Sequence, residues 1–193
     1  TTVATPAVRE GFAKVHVRTE MEYPEGTNPG DIRLRTILRS PDGCQVEAQE
    51  TTLSPYDEGT VGQDFVVVRP QLWDCAHPNL YRADTEVYYR DSLADTYQTV
   101  FGIRSVEVVP DKGFFLNGKK LVLHGTCNHH DLGPLGTAVN MQAIRYRLKM
   151  LKDMGCNAYR TSHNMPSPEL VQACNEMGML LMVETFDEWR TRK

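Results

Sequence analysis

The sequence predicts two domains of different fold class: an immunoglobulin-like β-sandwich over residues 1–110, followed by a β-α-β-α-β unit over 111–193. Three observations support this division. Roughly the first 110 residues alternate apolar and polar side chains with period two, which is typical of half-buried antiparallel strands. Pro110, Gly113 and the turn-forming pair Asn117-Gly118 then mark a junction. After it, short apolar segments alternate with two segments of helical periodicity, as in parallel α/β structures.

Each predicted strand of the first domain has one apolar face. In 12–19, Ala13, Val15 and Val17 point to one side, and the basic and histidine side chains between them point to the other. The same alternation predicts strands at 31–38, 44–53, 62–68, 80–90 and 95–109, the last broken at Gly102. Six or seven short strands within about 100 residues are typical of an immunoglobulin-like sandwich. Trp73 is either a sugar-stacking aromatic or a core residue, and we favour the core.

The second domain begins with a hairpin at Asn117-Gly118 and continues through three apolar strands and two helices. The strands are predicted at 121–127, 156–161 and 179–184, and the helices at 140–154 and 168–177. One apolar stripe of the first helix consists of Ile144, Leu148, Leu151 and Met154. Ser167 is the predicted N-cap of the second helix and Gly178 its stop. Right-handed crossovers would place the carboxyl ends of all three strands on one edge, where α/β proteins build their sites.

Composition excludes several classes of function. A net charge of −4 without a run of Lys or Arg gives no reason to expect a nucleic acid or an anionic membrane as partner. No segment approaches the ~18 consecutive apolar residues of a membrane span. Five cysteines without C-x-x-C spacing predict free thiols and neither a disulfide framework nor a zinc site. The amino terminus lacks the pattern of an export signal, and we interpret it as a cut inside a longer protein, which leaves the compartment open.

Polar clusters follow each of the three predicted strands, at 128–131, 161–164 and 184–188. Imidazoles and amides can hydrogen-bond sugar hydroxyls, and an indole offers an apolar face to a sugar ring. The candidate saccharide-binding residues are therefore His129, His163, Asn164, Asp187 and Trp189. For each of them, an ordinary exposed loop residue is the alternative.

The same clusters admit a metal site as another interpretation. His129, His130, His163 and Asp131 have side chains that suit several divalent ions. They lie on two separate predicted loops, so no ligand spacing supports such a site, and we predict no metal held by them.

Several strings of the sequence resemble glycoside hydrolase family 2, the group that contains β-galactosidases, β-glucuronidases and β-mannosidases. They are GFFLNGKKLVLHGTCNHHDLG at 113–133, LKMLKDMGCNAYRTSHNMPSPELVQACNEMGML at 148–180 and VETFDEW at 183–189. The strings PQLWDCAHPNLY and DTYQTVFGIRSVEV resemble the immunoglobulin-like domain that precedes the catalytic barrel in that family. The resemblance implies that residues from about 118 onward form the first three strands of an incomplete (β/α)₈ TIM barrel.

The resemblance also implies roles for individual residues. His129 and His163 match the substrate-contacting histidines after the first and second barrel strands, and Arg160 matches the arginine that supports the catalytic nucleophile. An ordinary salt bridge is the alternative role for Arg160. Members with a magnesium site carry a Glu and a nearby His after the third strand; Glu188 matches the Glu, but Arg190 stands in place of the His. We therefore expect no metal or other cofactor here, and Mg²⁺ at most in a longer parent protein.

Retaining glycosidases use two carboxylates ~5–5.5 Å apart. In the family that this chain resembles, both are glutamates on later barrel strands, so the resemblance implies no catalytic residue in this sequence. We expect a part of a retaining β-glycosidase, with β-galactosides as the first substrate class, that is inactive by itself. A truncated barrel would expose an open edge and an apolar face, which predicts self-association.

Two alternatives remain at this point. The first is a non-catalytic carbohydrate- or protein-binding module built on the β-sandwich. The second is a small doubly wound domain, whose sheet would need a helix on each face.

Overall fold

The computed structural model describes residues 1–187, and the chain divides into two compact units. The first unit comprises Thr1–Leu72 and Asn79–Ser105, and the second comprises Trp73–Pro78 and the residues from Val106 onward. The strands of the first unit are β1 (Thr2–Arg9), β2 (Phe12–Glu20), β3 (Ile32–Arg39), β4 (Gln45–Thr52), β5 (Thr60–Val68), β6 (Tyr81–Tyr89) and β7 (Ser92–Phe101), with a 3₁₀ turn at Pro29–Asp31.

Two antiparallel sheets form a sandwich in the first unit. Their strand orders are β1-β2-β5 and β4-β3-β6-β7. Buried residues of both sheets meet in one core that contains Ala13, Val15, Val17, Leu38, Phe65, Val67, Tyr81, Ala83, Phe101 and Ile103. β2 and β5 alternate buried and exposed side chains along their length, as the period-two pattern predicted. The predicted β-sandwich is confirmed.

The structure adds one strand to the prediction and divides another. β1 lies at the start of the first unit, where no strand was predicted, and it pairs antiparallel with β2. None of its residues is fully buried, so successive side chains differ little in exposure. The predicted strand 95–109 is two strands, β7 and β8 (Val106–Val109), separated after the expected break at Gly102.

The second unit contains a small hairpin sheet and a parallel sheet with two helices. Its further elements are β9 (Gly113–Leu116), β10 (Lys119–Lys120), β11 (Gly125–Asn128), a 3₁₀ turn at Gly133–Leu135, α1 (Met141–Asp153), β12 (Ala158–Thr161), α2 (Pro168–Met177) and β13 (Leu180–Met182). The hairpin turn between β9 and β10 is at Asn117 and Gly118, with φ angles of 52° and 74°. Both residues tolerate positive φ, which is why this pair predicted the turn.

The parallel sheet has the sequential strand order β11-β12-β13. The buried faces of both helices share one core with the sheet, and this core contains Ile144, Leu148, Leu151, Tyr159, Ala173, Cys174 and Met179. Both helices therefore pack on the face of the sheet that carries Tyr159. A doubly wound domain would have a helix on each face, so that alternative is wrong. Sequential parallel strands with the helices on one side form the start of a (β/α)₈ barrel, which is not closed within residues 1–187.

Side chains cap the starts of both helices, as the sequence predicted for α2 but not for α1. The Asn140 side chain accepts a hydrogen bond from the backbone of Ala143 at the start of α1, and Ser167 accepts one from Leu170 at the start of α2. Gly178 ends α2 in the left-handed conformation, with φ of 69°. These caps fix the points at which the chain leaves each helix and enters the next strand.

Three apolar positions of this unit are exposed, although the apolar character of their segments indicated burial. Of the predicted strand 121–127, only residues 125–127 lie in β11, and Val122 is 61% exposed. Met182 of β13 is 55% exposed, although a near-continuous apolar run is typical of a strand buried on both faces. Met154 lies at the C-cap of α1, beyond the inward-facing stripe, and is 73% exposed. Within the described residues only the helix side of the sheet is covered, so an apolar sequence alone did not ensure burial.

Trp73 and the cysteines follow the sequence interpretation. Trp73 is buried, and its indole N–H donates to the backbone oxygen of Asn175 at 2.8 Å, so it is a core residue. All five cysteines are free thiols, and burial raises the pKa of Cys174 to about 12. In the described part of the chain, no helix combines the length and the apolar character needed to cross a membrane.

Candidate functional site

The register of the parallel sheet places two rows of side chains at its carboxyl edge. Cys127 of β11 pairs with Arg160 of β12, and Asn128 pairs with Thr161. Because strand side chains alternate, these two rows face opposite sides of the sheet. Thr161 is buried on the helix side, so Cys127 and Arg160 lie on the open side, which in a barrel is the interior.

His129 and His163 meet at this edge, directly after β11 and β12. Their ring centroids are 5.4 Å apart and the rings are almost perpendicular, at 82°. The Ser162 amide donates to the carbonyl oxygen of Asn128 at 3.0 Å, which continues the strand pairing to the residue before His163. The expectation that parallel strands would bring these two imidazoles together is confirmed.

Glu184 organises the open side of the edge. One carboxylate oxygen, Oε2, lies 2.7 Å from Nδ1 of His163, and the other, Oε1, forms an ion pair with the guanidinium of Arg160. Its own backbone amide donates to the Thr161 hydroxyl at 3.0 Å. The Glu184 carboxylate thus contacts both Arg160, near the end of β12, and His163, just after that strand. This role of Glu184 was not predicted from the sequence. A Glu after β13 together with an Arg near the end of β12 could have indicated an ion pair between neighbouring strands.

Arg160 is fixed from two sides. Besides the ion pair with Glu184, its guanidinium donates to the Cys127 thiol at 3.0 Å. The hydrogen bond to Cys127, followed by the attraction of Glu184, raises the pKa of Arg160. Arg160 is therefore a permanently charged group on the open side of the sheet. Its predicted role in supporting a nucleophile stays a prediction.

Arg147 of α1 fixes the loop that carries His129. Its guanidinium donates to the carbonyl oxygens of His129, at 3.0 Å, and of Asp131. It also lies 3.4 Å from the Tyr159 hydroxyl of β12. The backbone of this loop is thereby tied to both the helix and the strand beneath it.

The remaining predicted site residues lie farther along the same loops. Asn164 is exposed, and its side-chain nitrogen is 3.4 Å from Nδ1 of His130. Asp187 is exposed, and Trp189 lies outside the described residues. The structure thus brings His129 and His163 into contact, and the binding roles of all five residues stay predictions.

The arrangement suits recognition of hydroxyl groups more than metal binding. Among residues 1–187, no group of three His, Cys, Asp or Glu side chains is placed to hold a metal ion. Glu188, which the resemblance connected with magnesium, is not among those residues, so the expectation of no cofactor stays a prediction. Imidazole nitrogens can donate or accept hydrogen bonds, and Nδ1 of His163 is already engaged by Glu184. Because both oxygens of Glu184 are engaged, this carboxylate is a positioning group.

Comparisons with known proteins cover both units. Residues 1–104 match the family described as "Glycosyl hydrolases family 2", and residues 106–189 match "Glycosyl hydrolases family 2, TIM barrel domain". The chain is 39% identical over 195 residues to Beta-galactosidase BoGH2A of Bacteroides ovatus and 42% identical over 190 residues to a putative beta-glucuronidase of Formosa agariphila. These alignments cover 100% and 98% of this chain but 23% and 18% of the relatives, so the chain spans roughly a fifth of their length.

Solved structures are similar over the same extent. A glycosyl hydrolase family 2 member from Bacteroides cellulosilyticus matches with a TM-score of 0.90 and 36% identity, covering 98% of this chain and 24% of that one. Bacteroides uniformis beta-glucuronidase 2, covalently bound to cyclophellitol-6-carboxylate aziridine, matches with a TM-score of 0.82 and 29% identity. That match covers 95% of this chain and 22% of the other.

Proposed function

Since the chain belongs to glycosyl hydrolase family 2, we propose that the protein hydrolyses a terminal β-glycoside with retention of configuration, and that this chain forms one side of the sugar pocket. The approach of His129 and His163, with ring centroids 5.4 Å apart, carries the proposal. Two imidazoles at this spacing can hydrogen-bond neighbouring hydroxyls of one sugar ring. A β-galactoside is the first substrate to test and a β-glucuronide the second, because relatives named for both activities match this chain.

The surrounding residues support the two histidines in this proposal. Glu184 orients His163 through its 2.7 Å contact and anchors Arg160 on the open side of the sheet. Asn164 and Asp187 supply further polar contacts from the loops, and Trp189 offers an apolar face to the sugar ring.

No catalytic carboxylate is assigned to this chain. Retention requires two carboxyl groups ~5–5.5 Å apart, one as acid/base and one as nucleophile. Glu184, which contacts His163, has its oxygens divided between His163 and Arg160. The catalytic pair is proposed to lie on later barrel strands, in the part of the relatives that this chain does not span. Neither a metal nor another cofactor is proposed to bind this chain.

The test is hydrolysis of 4-nitrophenyl β-galactoside and β-glucuronide by the full-length protein. Hydrolysis of one of them is expected, with the β-anomer appearing first by NMR. His129→Ala and His163→Ala should each lower kcat/KM by about 10–100-fold, because a hydrogen bond to the transition state is lost. His124→Ala is the matched control, since His124 is exposed and makes its hydrogen bonds through its backbone. Failure to cleave either glycoside, or full activity of both variants, would overturn the proposal.

The 193-residue chain by itself is proposed to be inactive and to self-associate. The open side of its parallel sheet carries Met182, which is 55% exposed, beside the Cys127 and Arg160 pair. Open strand edges and uncovered apolar surface favour association. Size-exclusion chromatography tests this, and a stable monomer at micromolar concentration would contradict it.

A further inference from the structure

A cavity of about 300 Å³ borders the helix side of the sheet, near its carboxyl edge. Its wall includes Asn128 and Thr161, the row of side chains that faces the helices. The opposite row, Cys127 and Arg160, does not line it, and neither do His129 and His163. Among the described residues, Asn164 is the one proposed sugar-binding residue that lines the cavity, so the cavity adjoins the sugar pocket there and otherwise faces the helices. Its volume is at the lower end of the range for small-molecule sites.

The permanent charge in the cavity wall is positive. Its 16 lining residues include one permanent charge, Arg147, and no Asp or Glu. Within residues 1–187, the Arg147 guanidinium bonds two carbonyl oxygens and the Tyr159 hydroxyl, all neutral groups, and no carboxylate. The nearby carboxylates of Asp131 and Glu169 are not part of the wall. Ser167, the N-cap of the ten-residue helix α2, does line the cavity and adds the partial positive charge of a helix N-terminus.

Hydroxyl groups in the wall can donate hydrogen bonds to a ligand. Ser162 is only 2% exposed, and its hydroxyl has no hydrogen-bond partner among the residues that the structure describes. Buried polar groups in folded proteins are almost always paired, so an unpaired one at a cavity indicates a missing partner. The Thr161 hydroxyl accepts from the Glu184 amide, which leaves its hydrogen free to donate. Burial raises the pKa of Tyr159, so its hydroxyl also keeps its proton.

The wall also has an apolar part. Its apolar members are Leu132, Ala138, Val139, Ile144, Met165, Pro166 and Leu170. A ligand that fits both parts needs an anionic head and an apolar body. One unpaired positive charge matches a single negative charge, which a carboxylate carries at neutral pH.

We propose that this cavity binds a small organic carboxylate, with its head group towards Arg147 and Ser162 and its body against Ile144 and Leu170. The guanidinium and the Ser162 hydroxyl donate to the carboxylate oxygens. The apolar body displaces water from the side chains of α1 and α2. Binding at this site does not depend on glycosidase activity.

Benzoate is the probe, and the ¹³C-labelled methyl group of Met165, which lines the cavity, is the reporter in the full-length protein. Benzoate should shift this methyl signal saturably, while the methyl of Met21, in the first unit, stays unchanged. Benzamide, the neutral isostere, should bind at least about tenfold more weakly, because the charged hydrogen bonds are lost.

Ser162→Ala should raise the Kd for benzoate by about tenfold. The hydroxyl has no partner among the described residues, so its removal leaves none of them unpaired. Ser92→Ala, at an exposed position of β7, is the matched control and should leave the Kd unchanged. If Ser162→Ala fails to fold, Ala138→Trp, at an exposed wall position, should fill the cavity and abolish the Met165 shift.

Several outcomes would overturn the proposal. They are an unshifted Met165 signal, equal affinity for benzamide and benzoate, or a Kd that Ser162→Ala does not change. Because His163 does not line the cavity, His163→Ala should bind benzoate normally even where it has lost hydrolysis. This variant separates failure of the carboxylate site from failure of the proposed hydrolytic function.

Discussion

Replacing Glu184 with Gln is expected to reduce glycoside hydrolysis far more than it reduces stability. Glu184 holds His163 through one oxygen and Arg160 through the other. The three side chains are partly buried, with exposures of 20% for Glu184, 39% for Arg160 and 28% for His163. Gln keeps the size of the side chain and one carbonyl oxygen, but it removes the negative charge that both partners share.

The expected magnitude follows from this partial burial. Exposed ion pairs contribute about 0–1 kcal/mol, and breaking a fully buried pair costs about 3–5 kcal/mol. Glu184 and its partners are of intermediate burial, so we expect Glu184→Gln to lower the free energy of unfolding by about 1–2 kcal/mol. The effect on kcat/KM should be larger, about 10–100-fold, because the ring of His163 and the guanidinium of Arg160 lose their common anchor.

The assay combines urea unfolding with 4-nitrophenyl glycoside kinetics on the full-length protein. Glu176→Gln is the matched control, because Glu176 accepts from Arg145 at 2.7 Å and from Gln172 at 2.8 Å, and is 32% exposed. It lies on α2, away from the histidine pair, so it should lose similar stability and retain kcat/KM. Glu184 does not have this positioning role if Glu184→Gln keeps kcat/KM within about twofold of the wild type, or if both variants lose activity equally.

Three further predictions concern stability and thiol chemistry. Burial opposes ionisation of Asp84, but hydrogen bonds from two arginines outweigh it and lower its pKa. The stability that this carboxylate supplies should therefore be present at neutral pH and be lost as pH falls below about 4, so acid should lower the urea midpoint less in Asp84→Asn than in the wild type. At pH 8, iodoacetamide should alkylate exposed Cys127 in the folded protein but label Cys174 only after denaturation, as peptide mass spectrometry can show. In Gly125→Ala, the added methyl group would overlap the backbone oxygen of Ala158, so thermal unfolding should show a loss of about 1–3 kcal/mol.

Local chemistry explains why much of the second unit could be predicted from sequence. Asn117 and Gly118 adopt positive φ angles, which few other residues tolerate, so these two residues were sufficient to predict the hairpin turn. Ser167 and Gly178 begin and end α2 in the same way. The topology explains the histidine pair. Parallel strands joined by helices end at one edge of the sheet, and this brings His129 and His163 together.

Burial and partner choice could not be predicted in the same way. Val122 lies in an apolar segment, but its exposure depends on which elements cover the sheet, and periodicity carries no such information. Glu184 lies more than 20 residues from both Arg160 and His163, and only the register of β12 and β13 shows that it reaches both partners. Trp73 likewise belongs with the second unit, in the short segment Trp73–Pro78 that lies in the sequence between two parts of the first unit.

Each residue of β11 pairs with one residue of β12, and this register limits where insertions and deletions can occur among the natural relatives of this protein. An extra residue within Gly125–Asn128 would rotate every following side chain to the other side of the sheet. The imidazole of His129 would then be turned away from its partner, and the helix side of the sheet would lose Asn128. Single insertions or deletions should therefore be rare within this strand, whereas the exposed stretch at 133–139 can grow or shrink without that penalty.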